Sequence, residues 1–397
     1  MSHISFSGLA IVAAVGFAVP LLLGFLPRLK LPSVVLEIFM GIVIGPSVLG
    51  WVVVDAPIQV LSLLGLASLL FLAGLEIEVE RLGGRALELA LIGFVISLVL
   101  ALGVGYSLQA FGLIQTPLFV AIVLAATGLG VIIPILKDSG EISNQFGQLV
   151  VAAASISDFG TVILLSLFFS RETSSTATQL FLLGGFLLLA AVLVMVGVRG
   201  GRWNRLSDVL VRLQDTTAQI RVRGGALLLV SLVAVAERFG LETILGAFVA
   251  GVILTLLDRE ASLTHPQFRA KLEAIGFGLF VPIFFVTSGI KFNLGALLAS
   301  PSSMLQVPIY LLALLVVRGL PAWLYLPLLG PRRSIAAGLF QATSLSFIVA
   351  SVQIGMELRV LTEATGAALV ACALLSVLIF PLSAGLVLHG APAEAIR

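Results

Sequence analysis

An aspartate in the middle of a long apolar run is the residue of this sequence with the clearest chemistry. Asp158 lies in VVAAASISDFGTVILL, residues 150–165, where no other ionisable side chain occurs. Burial disfavours the charged form of a carboxylate, and a nearby cation favours it. A group held between those influences can give up a proton and take a metal ion, Na+ or K+, near neutral pH. Ser155 and Ser157 precede it closely and are candidate oxygen ligands; the alternative for each is a hydroxyl bonded back to its own helix. For Asp158 itself the alternative is a carboxylate that only satisfies exposed backbone amides. Arg318 is the second charge deep in an apolar stretch. A guanidinium does not deprotonate in proteins, so Arg318 is expected to hold a negative or dipolar group, either as charge partner of the site or in a structural pairing. Glu37 and Glu237 stand nearer the ends of apolar runs and are expected in solvated or lipid-interface positions.

The elements that must position these residues are membrane helices. Of 397 residues, 59% are hydrophobic and 11% charged, and the mean hydropathy is +1.19. Soluble domains carry about a quarter charged residues. A bilayer span needs roughly 20 apolar residues, and such stretches fill this chain. The fold class is therefore an all-α polytopic membrane protein. The first apolar stretch, 6–26, has no basic leader or cleavage site and reads as a retained helix rather than a signal peptide. Cys372, the single cysteine, excludes a disulfide within the chain and reads as a small buried side chain. His3, His265 and His389 lie outside or at the ends of spans, and there is no phosphate loop, Cys/His cluster or catalytic triad. An enzyme is not expected, nor a cofactor. The arginine-rich loop 199–223 is explained by topology and anionic lipid, not by nucleic acid.

Apolar stretches between polar or Gly/Pro breaks give thirteen spans: 6–26, 32–53, 57–76, 86–111, 116–136, 146–170, 178–198, 221–240, 242–258, 272–290, 304–328, 332–356 and 362–390. With the N-terminus outside and the C-terminus in the cytoplasm, inner segments hold 17 of the 22 Lys and Arg residues and outer segments four, with Arg318 within a span. Cytoplasmic loops retain basic residues because these resist translocation. The expected location is the cell (inner) membrane. ATGLGVII at 126–133 and ATSLSFIV at 342–349 share four of eight residues at an offset of 216, and Gly74 and Gly289 differ by 215. Seven helices separate corresponding elements, so the repeats run in opposite directions through the bilayer, a pattern of secondary transporters.

The repeated segments also supply a reason for the position of Asp158. Gly128, Gly130 and Pro134 interrupt span five, while Thr343, Ser344 and Ser346 make the middle of span twelve polar. Interrupted helices at matching places in two halves point to a midplane site, although Gly and Pro also simply kink packed helices. Half-helix N-termini are partly positive and C-termini partly negative. Two crossed, broken helices would leave a balanced spot beside Asp158, where free carbonyls and Thr127 help to strip water from a cation.

At these residues the chain resembles the monovalent cation:proton antiporter-2 family, the sodium/hydrogen exchanger-like group that includes glutathione-gated potassium efflux systems. The resemblance runs through PSVVLEIFMGIVIGPSVLGW (32–51), LLFLAGLEIEVERL (69–82), ILKDSGEISNQFGQLVVAAASISD (135–158), LETILGAFVAGVIL (241–254) and GLFVPIFFVTSGIKFNL (278–294). It implies a monovalent cation/proton antiporter working by alternating access as a homodimer. It also implies dimerisation helices 1–3 (1–76) and 8–10 (224–290), core helices 4–6 (86–170) and 11–13 (304–390), and a linker helix with basic loop (178–223). Asp158 falls on the family's ion-binding aspartate, Arg318 on a Lys/Arg position paired with the site, and Thr127 and Thr343 on the crossed helices. Electrogenic members carry a second Asp where this chain has Ser157, so one proton for one cation, electroneutral, is the expectation. QATSLSF (341–347) departs from the Arg and Glu of many relatives. A nucleotide-binding regulatory domain is not expected after span thirteen. The alternatives are a proton- or sodium-coupled symporter of a small organic anion, with Arg318 as anchor, and a channel or non-transporting scaffold.

Overall fold

The computed structural model describes residues 6–25, 32–76, 84–138, 140–142, 144–169, 176–200, 216, 219–260, 266–299 and 301–389. Every regular element among them is helical: α1 (Ser7–Phe25), α2 (Ser33–Ile44), α3 (Ala56–Leu75), α4 (Gly84–Ala110), α5 (Pro117–Leu124), α6 (Leu129–Asp138), α7 (Gln145–Phe168), α8 (Thr176–Gly200) and α9 (Ile220–Arg238). There follow α10 (Thr243–Glu260), α11 (Pro266–Ile275), α12 (Val281–Ile290), α13 (Leu294–Leu298), α14 (Pro301–Leu314), α15 (Leu326–Gln341), α16 (Ser346–Glu357) and α17 (Glu363–His389). A π turn, Gly276–Phe280, continues α11 into α12; a second, Leu315–Gly319, and a 3-10 segment, Leu320–Tyr325, continue α14 into α15.

Among the described residues, eight helical stretches can cross a membrane by length and composition, and three shorter apolar ones accompany them. One stretch, Pro301–Glu357, contains two passes. Its chain reverses at Gly330, whose φ of 72° suits only a residue without Cβ, followed by Pro331. With α9, these make the thirteen passes read from the sequence. The protein is a multi-pass membrane protein, and its surface fits: Phe17, Phe25, Phe111, Phe181 and Leu386 are all exposed, as lipid-facing side chains must be.

Local chemistry sets the ends of several helices. Asp55 caps α3, its Oδ1 accepting from Ile58 N at 3.1 Å, and Asn144 caps α7, its Oδ1 accepting from Gly147 N at 3.0 Å. The second pass departs from its expected extent of 32–53. Helix α2 stops at Ile44, because Gly45 and Pro46 follow and Gly50 turns with φ +64°. The apolar residues beyond fold back on the helix end, with Trp51 N and Val52 N donating to Ile44 O.

Two compact units emerge from the packing. One comprises Met1–Gly16, Val54–Ile77 and Val162–Thr287; the other comprises Phe17–Val53, Glu78–Thr161 and Ser288–Arg397. In the first, α3 and α10 cross at glycines: a Cβ on Gly74 would overlap Phe248 O, and one on Gly251 would overlap Phe71 O. In the second, α2 meets the end of α12 the same way, a Cβ on Gly289 overlapping Ile38 O. These two contacts join passes three to nine and ten to two, which the internal repeat exchanges. The second unit also holds an apolar core of Leu129, Ile132, Phe146, Val150, Ala337 and Phe340, and around it every candidate site residue.

Candidate functional site

The fifth and twelfth passes are both broken at mid-length. Helix α5 ends at Leu124 and α6 begins at Leu129; α15 ends at Gln341 and α16 begins at Ser346. The breaks, 125–128 and 342–345, lie within one residue of the sequence repeat, and they touch: Gly128 N donates to Thr343 O at 2.8 Å. Thr127, Gly128, Thr343 and Ser344 are all in these extended stretches. Gly130 is not, because it lies one residue inside α6, where a Cβ would meet open space. The interruption needs the chain to pass close to its partner at 128, and no such approach occurs at 130.

Broken helices leave end carbonyls and amides without partners, and side chains of this site supply them. Ser157 Oγ donates to Ala125 O at 2.6 Å, tying α7 to the first break. Thr127 Oγ1 donates to Gln341 O at 2.9 Å, tying the first break to the end of α15. Ser376 Oγ, on α17, accepts from Ser344 N at 3.2 Å and lies 3.0 Å from Ser344 O, bracing the second break. Thr343 Oγ1 donates to Leu339 O one turn earlier in its own helix. Ser344 Oγ is buried with no partner.

Asp158 faces this crossing from the middle of α7 and is 7% exposed. Its Oδ1 accepts from Thr127 N at 3.3 Å. Ser155, one turn earlier on α7, is buried as well. Arg318 sits in the π turn and is 1% exposed. Its Nε donates to Thr127 Oγ1 at 2.8 Å and its Nη1 to Ser97 Oγ, on α4, at 2.9 Å, whereas Nη2 has no acceptor. Thr127 therefore links the two charges, the carboxylate through its backbone and the guanidinium through its hydroxyl.

The arrangement places one carboxylate, several hydroxyls and a fixed positive charge in a water-poor setting. A carboxylate so placed can hold a proton or a small cation, and a guanidinium so near can offset its charge when it holds neither. Ser157 and Thr127 spend their hydroxyl protons on carbonyls, so their oxygens can act only as acceptors, and that of Thr127 already accepts from Arg318 Nε.

Sequence reasoning placed Glu37 at an interface, but it is 3% exposed, because α2 is buried along the face that carries Val35, Ile38 and Gly41. Glu237, by contrast, is exposed near the end of α9. The sequence carries no signal for Ser97, Gln341, Tyr325 or Ser376. Gln341 Nε2 donates to Tyr325 OH at 3.0 Å, and the backbone carbonyl of Gln341 is the one that Thr127 Oγ1 holds. A lone Ser or Gln in an apolar helix carries no signal of its partner, and only the bends of the chain bring them together.

The family model described as sodium/hydrogen exchanger, transmembrane, matches residues 11–390. The chain is 32% identical over 398 residues to YjbQ of Bacillus subtilis, assigned by name to the Na+/H+ antiporters, covering 96% of this chain and 63% of that protein. It is also 32% identical over 305 residues to cation/H+ antiporter 17 of Arabidopsis thaliana, covering 71% of this chain and 36% of that one. The chain thus spans less than two thirds of the length of both. Among solved structures, the sodium proton antiporter MjNhaP1 from Methanocaldococcus jannaschii superposes with a TM-score of 0.70 at 16% identity, covering 96% of this chain and 98% of that one. That likeness concerns the fold.

Proposed function

Because the chain belongs to the sodium/hydrogen exchanger transmembrane family, we propose that it exchanges a monovalent cation, Na+ or K+, for a proton by alternating access. The observation that carries this reading is the buried Asp158 carboxylate, bonded to Thr127 N within the crossing of two broken helices. Proton and cation occupy Asp158 in turn, with Ser155, Ser157 and Thr127 as supporting oxygens. Either occupant neutralises the carboxylate, which lowers the cost of carrying it past apolar surroundings. Arg318 steadies the site when it is empty. Ser157 stands directly before Asp158, so one carboxylate serves the site, and exchange is one proton for one cation without net charge. The names of the two relatives, antiporters of Na+ or of a cation against H+, support this reading. The organic-anion alternative gains nothing from them.

In the same reading the protein is a homodimer in the cell (inner) membrane, with its N-terminus outside and its C-terminus in the cytoplasm. Helices 1–3 and 8–10 form the dimerisation domain, and helices 4–6 and 11–13 carry the ion.

Proteoliposomes with an internal pH dye test the exchange. A Na+, K+ or Li+ gradient is expected to drive proton movement with wild-type protein, and Asp158→Asn is expected to reduce it to background. Undiminished flux through Asp158→Asn would reject the mechanism, and a strong effect of imposed membrane voltage on the rate would reject one-for-one exchange.

A further inference from the structure

The Arg318 guanidinium is held by two of its three nitrogens. Nε is bound to Thr127 Oγ1 and Nη1 to Ser97 Oγ, while the buried Nη2 has no acceptor. A buried charged donor without a partner keeps its full desolvation cost, so the group gains whenever an acceptor comes within reach. During exchange the acceptor that changes is Asp158: proton and cation each neutralise it, and between them it is bare. Carboxylate and guanidinium already share Thr127 as a neighbour, each one hydrogen bond away from it. The backbone under Arg318 is also suited to movement. Its π turn is followed directly by a 3-10 segment, both geometries of weaker hydrogen bonding than the α-helix, and such mid-helix turns gather at functional hinges.

Ser97 is the anchor on the other side. It is 0% exposed, on a helix separate from both breaks, and its hydroxyl oxygen is the acceptor of Nη1. We propose that Ser97 is a positioning residue for the exchange: by holding Nη1 it keeps the Arg318 guanidinium off Asp158, and so sets how well a cation competes for the carboxylate. The inference rests on the reading of Asp158 as the exchanging group. Without the Ser97 hydroxyl, two nitrogens of Arg318 lack acceptors, and the bare carboxylate is the group that can satisfy them. The internal ion pair that results excludes the incoming cation. The titratable groups acting on Arg318 are Asp158 and Tyr325, and Tyr325 OH is already engaged by Gln341 Nε2.

The experiment compares wild type, Ser97→Ala, Ser97→Cys and Ser97→Thr in proteoliposomes, reading exchange against cation concentration and pH. Ser97→Ala is expected to raise the cation KM about tenfold, the size of one hydrogen bond to a charged group, with a smaller change in maximal rate. Its half-maximal pH should move downward, because a closer guanidinium favours the ionised carboxylate. Ser97→Cys, a weak acceptor of similar size, should move the same way, and Ser97→Thr should restore both values. A wild-type KM and pH profile in Ser97→Ala would overturn the proposal, as would equal loss of maximal rate in Ala and Thr variants with KM unchanged. Should Ser97→Ala not fold, an unshifted Ser97→Cys overturns it equally. Absence of cation-linked proton flux in the wild type would instead reject the reading of Asp158, and with it this one.

Discussion

Thr127 shows how much of this site rests on one small residue. Its amide holds Asp158, its hydroxyl oxygen holds Arg318, and its hydroxyl proton satisfies the end of α15. Thr127→Val preserves shape and amide but removes the hydroxyl. It leaves Arg318 Nε and Gln341 O buried without their partner, which costs about 2–4 kcal/mol. Thermal unfolding of the detergent-solubilised protein should therefore show a clear drop for Thr127→Val and a small one for Thr127→Ser. Equal melting of Val variant and wild type would mean that the hydroxyl bonds contribute nothing. Asp158 differs from Thr127 in being recognisable without the fold, since an ionisable group in a long apolar run demands a reason.

At the scale of elements, two devices organise the chain. The broken helices meet at their gaps, and there hydroxyls from α7, α17 and the first break replace the backbone partners that the gaps remove. Two further helix pairs, α3 with α10 and α2 with α12, cross instead at glycines, where backbones approach too closely for a side chain. In Gly251→Val a Cβ would overlap Phe71 O and press on Leu75 N. Such overpacking costs typically about 1–3 kcal/mol, and the melting temperature should fall accordingly. Gly103→Ala, on α4 with nothing near its Cβ position, provides the contrast: an exposed helical Gly→Ala change gains roughly 0.5–1 kcal/mol. If the two variants melted alike, close approach of α3 and α10 would not be what Gly251 provides.

The whole molecule is governed by where its charges can go. In the proposed orientation the basic residues gather on the cytoplasmic side, where their resistance to translocation favours them, and that direction can be checked. With Cys372→Ala as background, Arg332→Cys lies at the turn after Gly330 and Arg359→Cys after α16, both at exposed positions. A membrane-impermeant maleimide added to intact cells is expected to label Arg359→Cys only, and inverted vesicles should label Arg332→Cys only. Labelling of both from one side would overturn the orientation and the pass count between them.

The class, the thirteen passes, the repeat and Asp158 follow from the sequence alone, because each depends on hydropathy, charge or local spacing. The break in the fifth pass was also legible, through Gly128, though Gly130 beside it proved helical. Ser97 and Gln341 were not legible, nor was the burial of Glu37. These are set by which side chains meet across helices far apart in the chain, and one polar residue in an apolar helix does not encode its partner. From the sequence Arg318 is either a charge partner of the site or part of a structural pairing; only the packing of α4, α7 and the two breaks decided that its bonds run to Thr127 and Ser97, leaving one nitrogen empty.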